Sequence, residues 1–120
     1  MRMPKRKKAK RMAVTDKPQF RSKSHLQWVR GHDCLLVNLG ECDGGTEAAH
    51  VRSGTDGGLG VKPSDYWCVP LCRKHHAEQH AIGEKQFERK YQITLRAMAL
   101  LMARNSPDGE LRDAAKTRDA

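Results

Sequence analysis

Within the nine residues from Cys72 to His80 stand one cysteine and three histidines. Apolar packing does not ask for that composition, so a fold containing this run has to arrange itself around ligating side chains. Taken as a helix, the run puts His76 and His80 four apart on one face, a spacing at which two imidazoles can grip one cation. Cys72 and His75, three apart at the helix entrance, have the spacing of half a tetrahedral zinc site. One short stretch is therefore expected to serve two metal ions, one that holds the fold and one that does chemistry.

The remainder of the chain makes a staple necessary. Its 120 residues allow one domain. An aromatic share of 5% and a hydrophobic share of 38% are thin for a small core, and domains of this size usually add a disulfide or a metal. The polar, basic N-terminus has no apolar stretch of the kind a secretory signal needs, and no apolar run approaches membrane-spanning length. The expectation is a cytoplasmic protein with no membrane partner, whose thiols stay reduced and whose mixed Cys/His cluster reads as a metal site. Four cysteines are available, Cys34, Cys42, Cys68 and Cys72.

Charge is unevenly placed. Residues 1–12 carry Arg2, Lys5, Arg6, Lys7, Lys8, Lys10 and Arg11 without an acid, +7 of the formal +9. Such a segment reads as a disordered arm, 1–22, able to add salt-sensitive phosphate contacts. Beyond it, Ser24 is a candidate cap for a short helix ending at Arg30. Cys34 to Cys42 reads as an apolar, strand-like run. Thr46 to Val51 is a second strand candidate that delivers His50. Ser53 to Gly60 holds four glycines and must be a loop. Tyr66 to Leu71 has strand composition. Helical periodicity begins at Arg73, breaks at Gly83, resumes from Glu84 to Tyr91 and returns from Thr94 to Arg104 with Leu95, Met98, Leu101 and Met102 inward. After Pro107 the chain is polar and is expected to fray. His25 and His32 are expected at the surface.

The order strand, glycine loop, strand, helix carries a set of spaced residues: Ala49-His50, Gly57-Gly58, Asp65, then Cys72-x2-His75-His76-x3-His80. Over residues 30–92 the set resembles the ββα-metal motif of HNH (His-Me finger) endonucleases, with particular likeness to small phage and prophage HNH proteins, including Ref-type recombination-enhancement nucleases. Three positions depart from that family's pattern. Ala49 stands where a metal-binding Asp is usual, Asp65 where an Asn braces the glycine loop, and His75 where the zinc knuckle has its second cysteine.

The resemblance implies a phage- or prophage-encoded nuclease of the bacterial cytoplasm, and it gives His50 the role of general base. His76 and His80 would hold a catalytic divalent cation, Mg²⁺ or Mn²⁺, two imidazoles also suiting Zn²⁺ or Ni²⁺. Asp65 would support the loop, and Arg52, Lys62, Arg73 and Lys74 would contact phosphates of DNA. The structural zinc set is read as Cys34, Cys42, Cys72 and His75, with Cys68 packed as a small hydrophobe. A set using Cys68 in place of Cys34 or Cys42 is the alternative. The expected architecture is thus a small α+β domain over 23–105, a zinc-stabilised ββα-metal core with a helical C-terminal extension, followed by a disordered polar tail over 106–120. The expected function is metal-dependent cleavage of DNA. The alternatives are a non-catalytic zinc-stabilised DNA-binding module and a zinc-stabilised protein-interaction domain.

Overall fold

A turn at Asp43-Gly44-Gly45 starts the central hairpin. Gly44 sits at φ +84°, and a β-carbon there would stand 2.7 Å from Cβ of Arg73, so this close, left-handed corner takes glycine. The computed structural model describes residues 19–57 and 60–119; the basic run 1–12 and Gly58 lie outside the described residues. β1 (Thr46–His50) and β2 (Cys68–Cys72) pair antiparallel in a two-stranded sheet, Thr46 opposite Cys72 and His50 opposite Cys68. Strand alternation then puts Glu47 and Ala49 on one face with Leu71 and Val69, and His50 on the other with Cys68.

Among the described residues, five helices dress the hairpin. α1 (Lys23–Arg30) packs on both strands; α2 (Arg73–Ile82) leaves β2 without a loop and folds back on the sheet. Gly83 at φ +88° ends α2 and opens α3 (Glu84–Tyr91). α4 (Leu95–Arg104) rests on β2, and α5 (Gly109–Asp119) packs on α4. The core between them is built from Tyr66, Trp67, Val69, Leu71, Phe87, Leu95 and the alanines of α4. No helix among the described residues is long and apolar enough to cross a membrane.

Several expectations are corrected here. Cys34 to Cys42 forms no strand: it is a loop with a 3₁₀ turn at Val37–Leu39, closed by Gly40 and Glu41 at φ +80° and +64°. Extended backbone would put Cys34 and Cys42, eight apart, on one face, whereas Cys34 is buried and Cys42 exposed. α1 is capped by Ser22, whose hydroxyl accepts from the His25 amide, rather than by Ser24. Residues 20–22, expected in the arm, belong to the domain: Phe20 packs on Tyr66 with ring centres 6.2 Å apart, and its carbonyl accepts from the Asp65 amide at 2.8 Å.

The polar tail is a helix. α5 buries Leu111 and Ala115, two apolar residues four apart that make one narrow stripe, and Asp108 at its entrance accepts from the Leu111 amide at 3.2 Å. On α4 the buried residues are Leu95, Ala99, Leu100 and Ala103, and Met98 packs against the core as expected, while Leu101 is 53% exposed. Alanines at 99 and 103 leave room for α5 to approach, which turns the buried face away from Leu101. His25 is no surface residue. It is fully buried, its Nδ1 2.8 Å from the Ser106 hydroxyl and its Nε2 without a partner. Burial depresses its pKa to about 4 against the pull of Asp65 and Asp108. His32 is exposed, as expected.

Candidate metal centre and histidine pocket

The loop before β1, the end of β2 and the first turn of α2 converge on one point. Cys34 and Cys42 come from the loop, Cys72 ends β2 and is the N-cap of α2, and His75 lies one turn into that helix. Their ligand atoms all lie within 4.8 Å of one another. His75 Nδ1 stands 3.2 Å from Cys72 Sγ, 3.6 Å from Cys34 Sγ and 3.7 Å from Cys42 Sγ. A tetrahedral zinc with ordinary bond lengths separates sulfur from nitrogen by about 3.5 Å, so the donor set and its spacing fit a metal ion such as zinc.

Backbone amides complete the cluster. Leu36 donates to Cys34 Sγ and His75 to Cys72 Sγ, each at 3.4 Å. For Cys72, burial disfavours the thiolate, but the amides of His75 and Asp43 and the Cys42 thiol outweigh it and bring the pKa to about 6. Cys42 moves the other way, to about 12, through desolvation and its proximity to Cys72 and Cys34. Of Cys72 and Cys42, Cys72 is thus the first to ionise. Cys68 is buried on the strand outside the cluster, and its thiol is pushed up chiefly by burial; it packs as a small hydrophobe.

A second set of groups surrounds His50 and the exposed side of α2. His50 Nε2 lies 2.9 Å from Asp65 Oδ1. Asp65 is 2% exposed and also takes the Ser22 amide on Oδ2 at 2.8 Å and Arg21 Nη1 on Oδ1 at 3.2 Å. Burial raises its pKa, but the hydrogen bonds from His50 and Ser22 and the charge of Arg21 hold it below the usual carboxylate range. Asp65 therefore grips the imidazole directly. Among the described residues of the glycine loop, Asp56 does the bracing, accepting from the Ser64 amide at 2.9 Å and the Ser64 hydroxyl at 2.5 Å. Gly57 is required in that loop because a β-carbon would fall 2.4 Å from Pro63.

His76 and His80 share one face of α2, with their Nε2 atoms 3.2 Å apart. His80 and His50 line a pocket of about 420 Å³ together with Arg52, Gln79 and Glu84. Glu84 fixes the adjacent turn by accepting from the amides of Arg52 and Ser53, both at 2.8 Å. The four proposed phosphate contacts are not brought together. Arg52 lines the pocket; Lys62, Arg73 and Lys74 do not, though all three are exposed. Ala49, where the HNH pattern has a carboxylate, is fully buried opposite Val69.

Three participants escape a reading of spacings. Glu47 accepts at Oε1 from His76 Nδ1 at 2.7 Å; its signal was that it shares a strand face with position 49. Arg21, inside the supposed arm, binds Asp65 and the carbonyls of Lys62 and Pro63. Gln79 is 3% exposed at the pocket wall with its Oε1 unpartnered, and only the fold shows that it turns inward.

Among curated proteins the chain is similar to an uncharacterized protein of Escherichia coli (strain K12), YdfU. It is 30% identical over 80 residues, which cover 67% of this chain and 22% of that protein. The chain thus spans about a fifth of the length of the curated relative it matches. No solved structure matches. A family model described as "Protein of unknown function (DUF968)" matches residues 1–106, and the chain, with its Cys₃His cluster at the root of α2, belongs to that family.

Proposed function

We propose that this chain is a metal-dependent HNH-type endonuclease that hydrolyses phosphodiester bonds in DNA, stabilised by a structural zinc at Cys34, Cys42, Cys72 and His75. The observation that carries the reading is His50, held by a buried carboxylate and facing the same pocket as His80. A carboxylate on Nε2 makes that nitrogen the protonated one and leaves the Nδ1 lone pair as the base. His50 takes a proton from a water molecule; the water oxygen forms a bond to phosphorus; the bond to the leaving oxygen breaks and that oxygen is protonated from solvent. A divalent cation held by His76 and His80 would neutralise the charge that grows on the phosphate. Arg52, on the pocket wall, supports binding of the phosphate backbone, and the basic run 1–12 adds contacts that weaken with salt.

One observation favours a second reading. With Ala49 buried and apolar, the cation has one protein carboxylate fewer than the HNH pattern supplies, which suits a zinc-stabilised module that binds DNA without cutting it. Incubation of supercoiled plasmid with the zinc-loaded chain and added Mg²⁺ or Mn²⁺ separates the two. The nuclease reading expects nicked or linear DNA from the wild type, and from His50→Ala a rate lower by about 10²–10⁴-fold at unchanged zinc content and melting temperature. Binding without cleavage by the wild type in either ion establishes the second reading. Equal cleavage by His50→Ala removes His50 from the mechanism.

A further inference from the structure

Glu47 has no place in the HNH pattern, yet it makes a 2.7 Å hydrogen bond to a histidine of the candidate cation pair. The two nitrogens of an imidazole point away from each other across the ring. A carboxylate seated on Nδ1 of His76 therefore cannot also reach an ion bound at Nε2. Glu47 is no substitute for the carboxylate missing at Ala49. What it can do is fix the ring: accepting from Nδ1–H, it sets the tautomer in which Nε2 carries the lone pair, and it makes that lone pair more basic.

The second nitrogen pair agrees with this assignment. His76 Nε2 and His80 Nε2 are 3.2 Å apart. With metal–nitrogen bonds of about 2.1 Å, two imidazoles on one ion have nitrogens about 3.0 Å apart at a right angle and about 3.4 Å apart at a tetrahedral one. The observed separation falls between these values. Without an ion, the same spacing lets His80 Nε2–H donate to the His76 lone pair that Glu47 has exposed.

We infer that Glu47 is a positioning residue for a second metal ion, holding His76 so that Nε2 of His76 and of His80 grip an ion of the borderline transition class (Co²⁺, Ni²⁺, Zn²⁺) in preference to Mg²⁺. The inference rests on the proposed cation role of His76 and His80 and adds to it the residue that tunes the site and the class of ion it takes. Imidazole pairs suit these ions, whereas Mg²⁺ favours oxygen ligands and retains its waters. Glu47 is 43% exposed in its side chain, so its replacement leaves the core untouched.

The test is a Co²⁺ titration of the zinc-loaded full chain, followed by visible d–d absorption, with the thiolate–cobalt charge-transfer region monitored for intrusion at the cysteines. One Co²⁺ per chain should bind without charge transfer, and Mg²⁺ in equal amount should not displace it. Glu47→Gln, which keeps shape and removes charge, should weaken Co²⁺ binding by about 10–100-fold at unchanged zinc content. His76→Ala and His80→Ala should abolish it. Before cobalt is added, ¹⁵N shifts of His76 should report the Nδ1–H tautomer in the wild type and a mixture in Glu47→Ala. Wild-type affinity in Glu47→Gln, with loss in His76→Ala, overturns the role of Glu47 and leaves the histidine pair standing. Cobalt binding unaffected by either histidine change, or absent from the wild type, overturns the pair and Glu47 together.

Discussion

His75 and His76 are neighbours in sequence and belong to two regions built on opposite rules. A step of one residue turns an α-helix by about 100°. His75 thereby enters a closed cluster of four protein donors with amides on two of its sulfurs. His76 faces Glu47 and His80 at a surface, where a cation held by the two nitrogens, as proposed, would leave the rest of its shell to water or substrate. Closed tetrahedral sets hold folds, and sets with open positions do chemistry. The difference teaches that one helix can present a closed donor set in its first turn and an open pair of imidazoles on the residues that follow.

The largest effect should come from the closed side. Cys72→Ser or His75→Ala removes a donor from the cluster, and structural zinc binding contributes on the order of 10 kcal/mol in small metal-dependent folds. Circular dichroism should show both variants unfolded, with the same result when a strong chelator strips the wild type. A cooperative melt in metal-free protein would break the comparison outright.

His50→Gln sharpens it from the other side. Its amide nitrogen reaches the position of Nε2 and can still donate to Asp65, but it is no base, so on the proposed mechanism plasmid cleavage should fall by about 10²–10⁴-fold, while zinc content stays at the wild-type value. An unfolded His50→Gln would mean that the imidazole at this position is a fold element first.

Acid should loosen the domain for a reason unrelated to either region, and His25 allows it to be separated. Its folded pKa of about 4 lies below the ordinary imidazole value of 6.5, so between these pH values the unfolded chain binds a proton that the folded chain refuses. Stability from this residue is full above pH 6.5 and declines on acidification until about pH 4. At about 1.4 kcal/mol per unit, the loss amounts to about 3 kcal/mol. Urea melts from pH 7 to pH 4 should show a shallower decline for His25→Gln than for the wild type. Parallel curves would place the acid sensitivity elsewhere than His25.

The smallest effect is expected at the open pair. His76→Ala removes a partly exposed ring whose contacts are Glu47 and His80, and a surface change of this kind usually stays within about 0.5 kcal/mol. The melting curve of the zinc-loaded variant should overlay the wild type, and on the proposed nuclease reading cleavage, weakened by the change, should recover in part at high Mn²⁺. A large loss of stability would move His76 to the structural side.

Much of this architecture was legible before any coordinates. β1, β2 and the breaks around α2 and α3 follow from strand-like runs, Gly83 and helical periodicity, and the ligand set Cys34, Cys42, Cys72 and His75 is the one whose atoms converge. Local signals failed where contacts were distant. The Cys34–Cys42 run is apolar enough for a strand, but the need to aim Cys34 and Cys42 at His75 bends it into a loop. The tail from 106 is polar on average, yet two residues, Leu111 and Ala115, suffice to dock it because Ala99 and Ala103 leave space.

By itself the sequence determined the spacing of donors along α2, because helical geometry turns a three- or four-residue interval into a shared face whatever surrounds it. It also determined the positions that only glycine fills, such as Gly44 and Gly83, since the left-handed corner is a property of the backbone. Only the tertiary structure decided that Asp65 would hold His50, that Glu47 would hold His76 and that His25 would be sealed in the core. Each of these pairings joins residues 15 or more positions apart, and such contacts depend on strand register and helix docking, which no local spacing encodes.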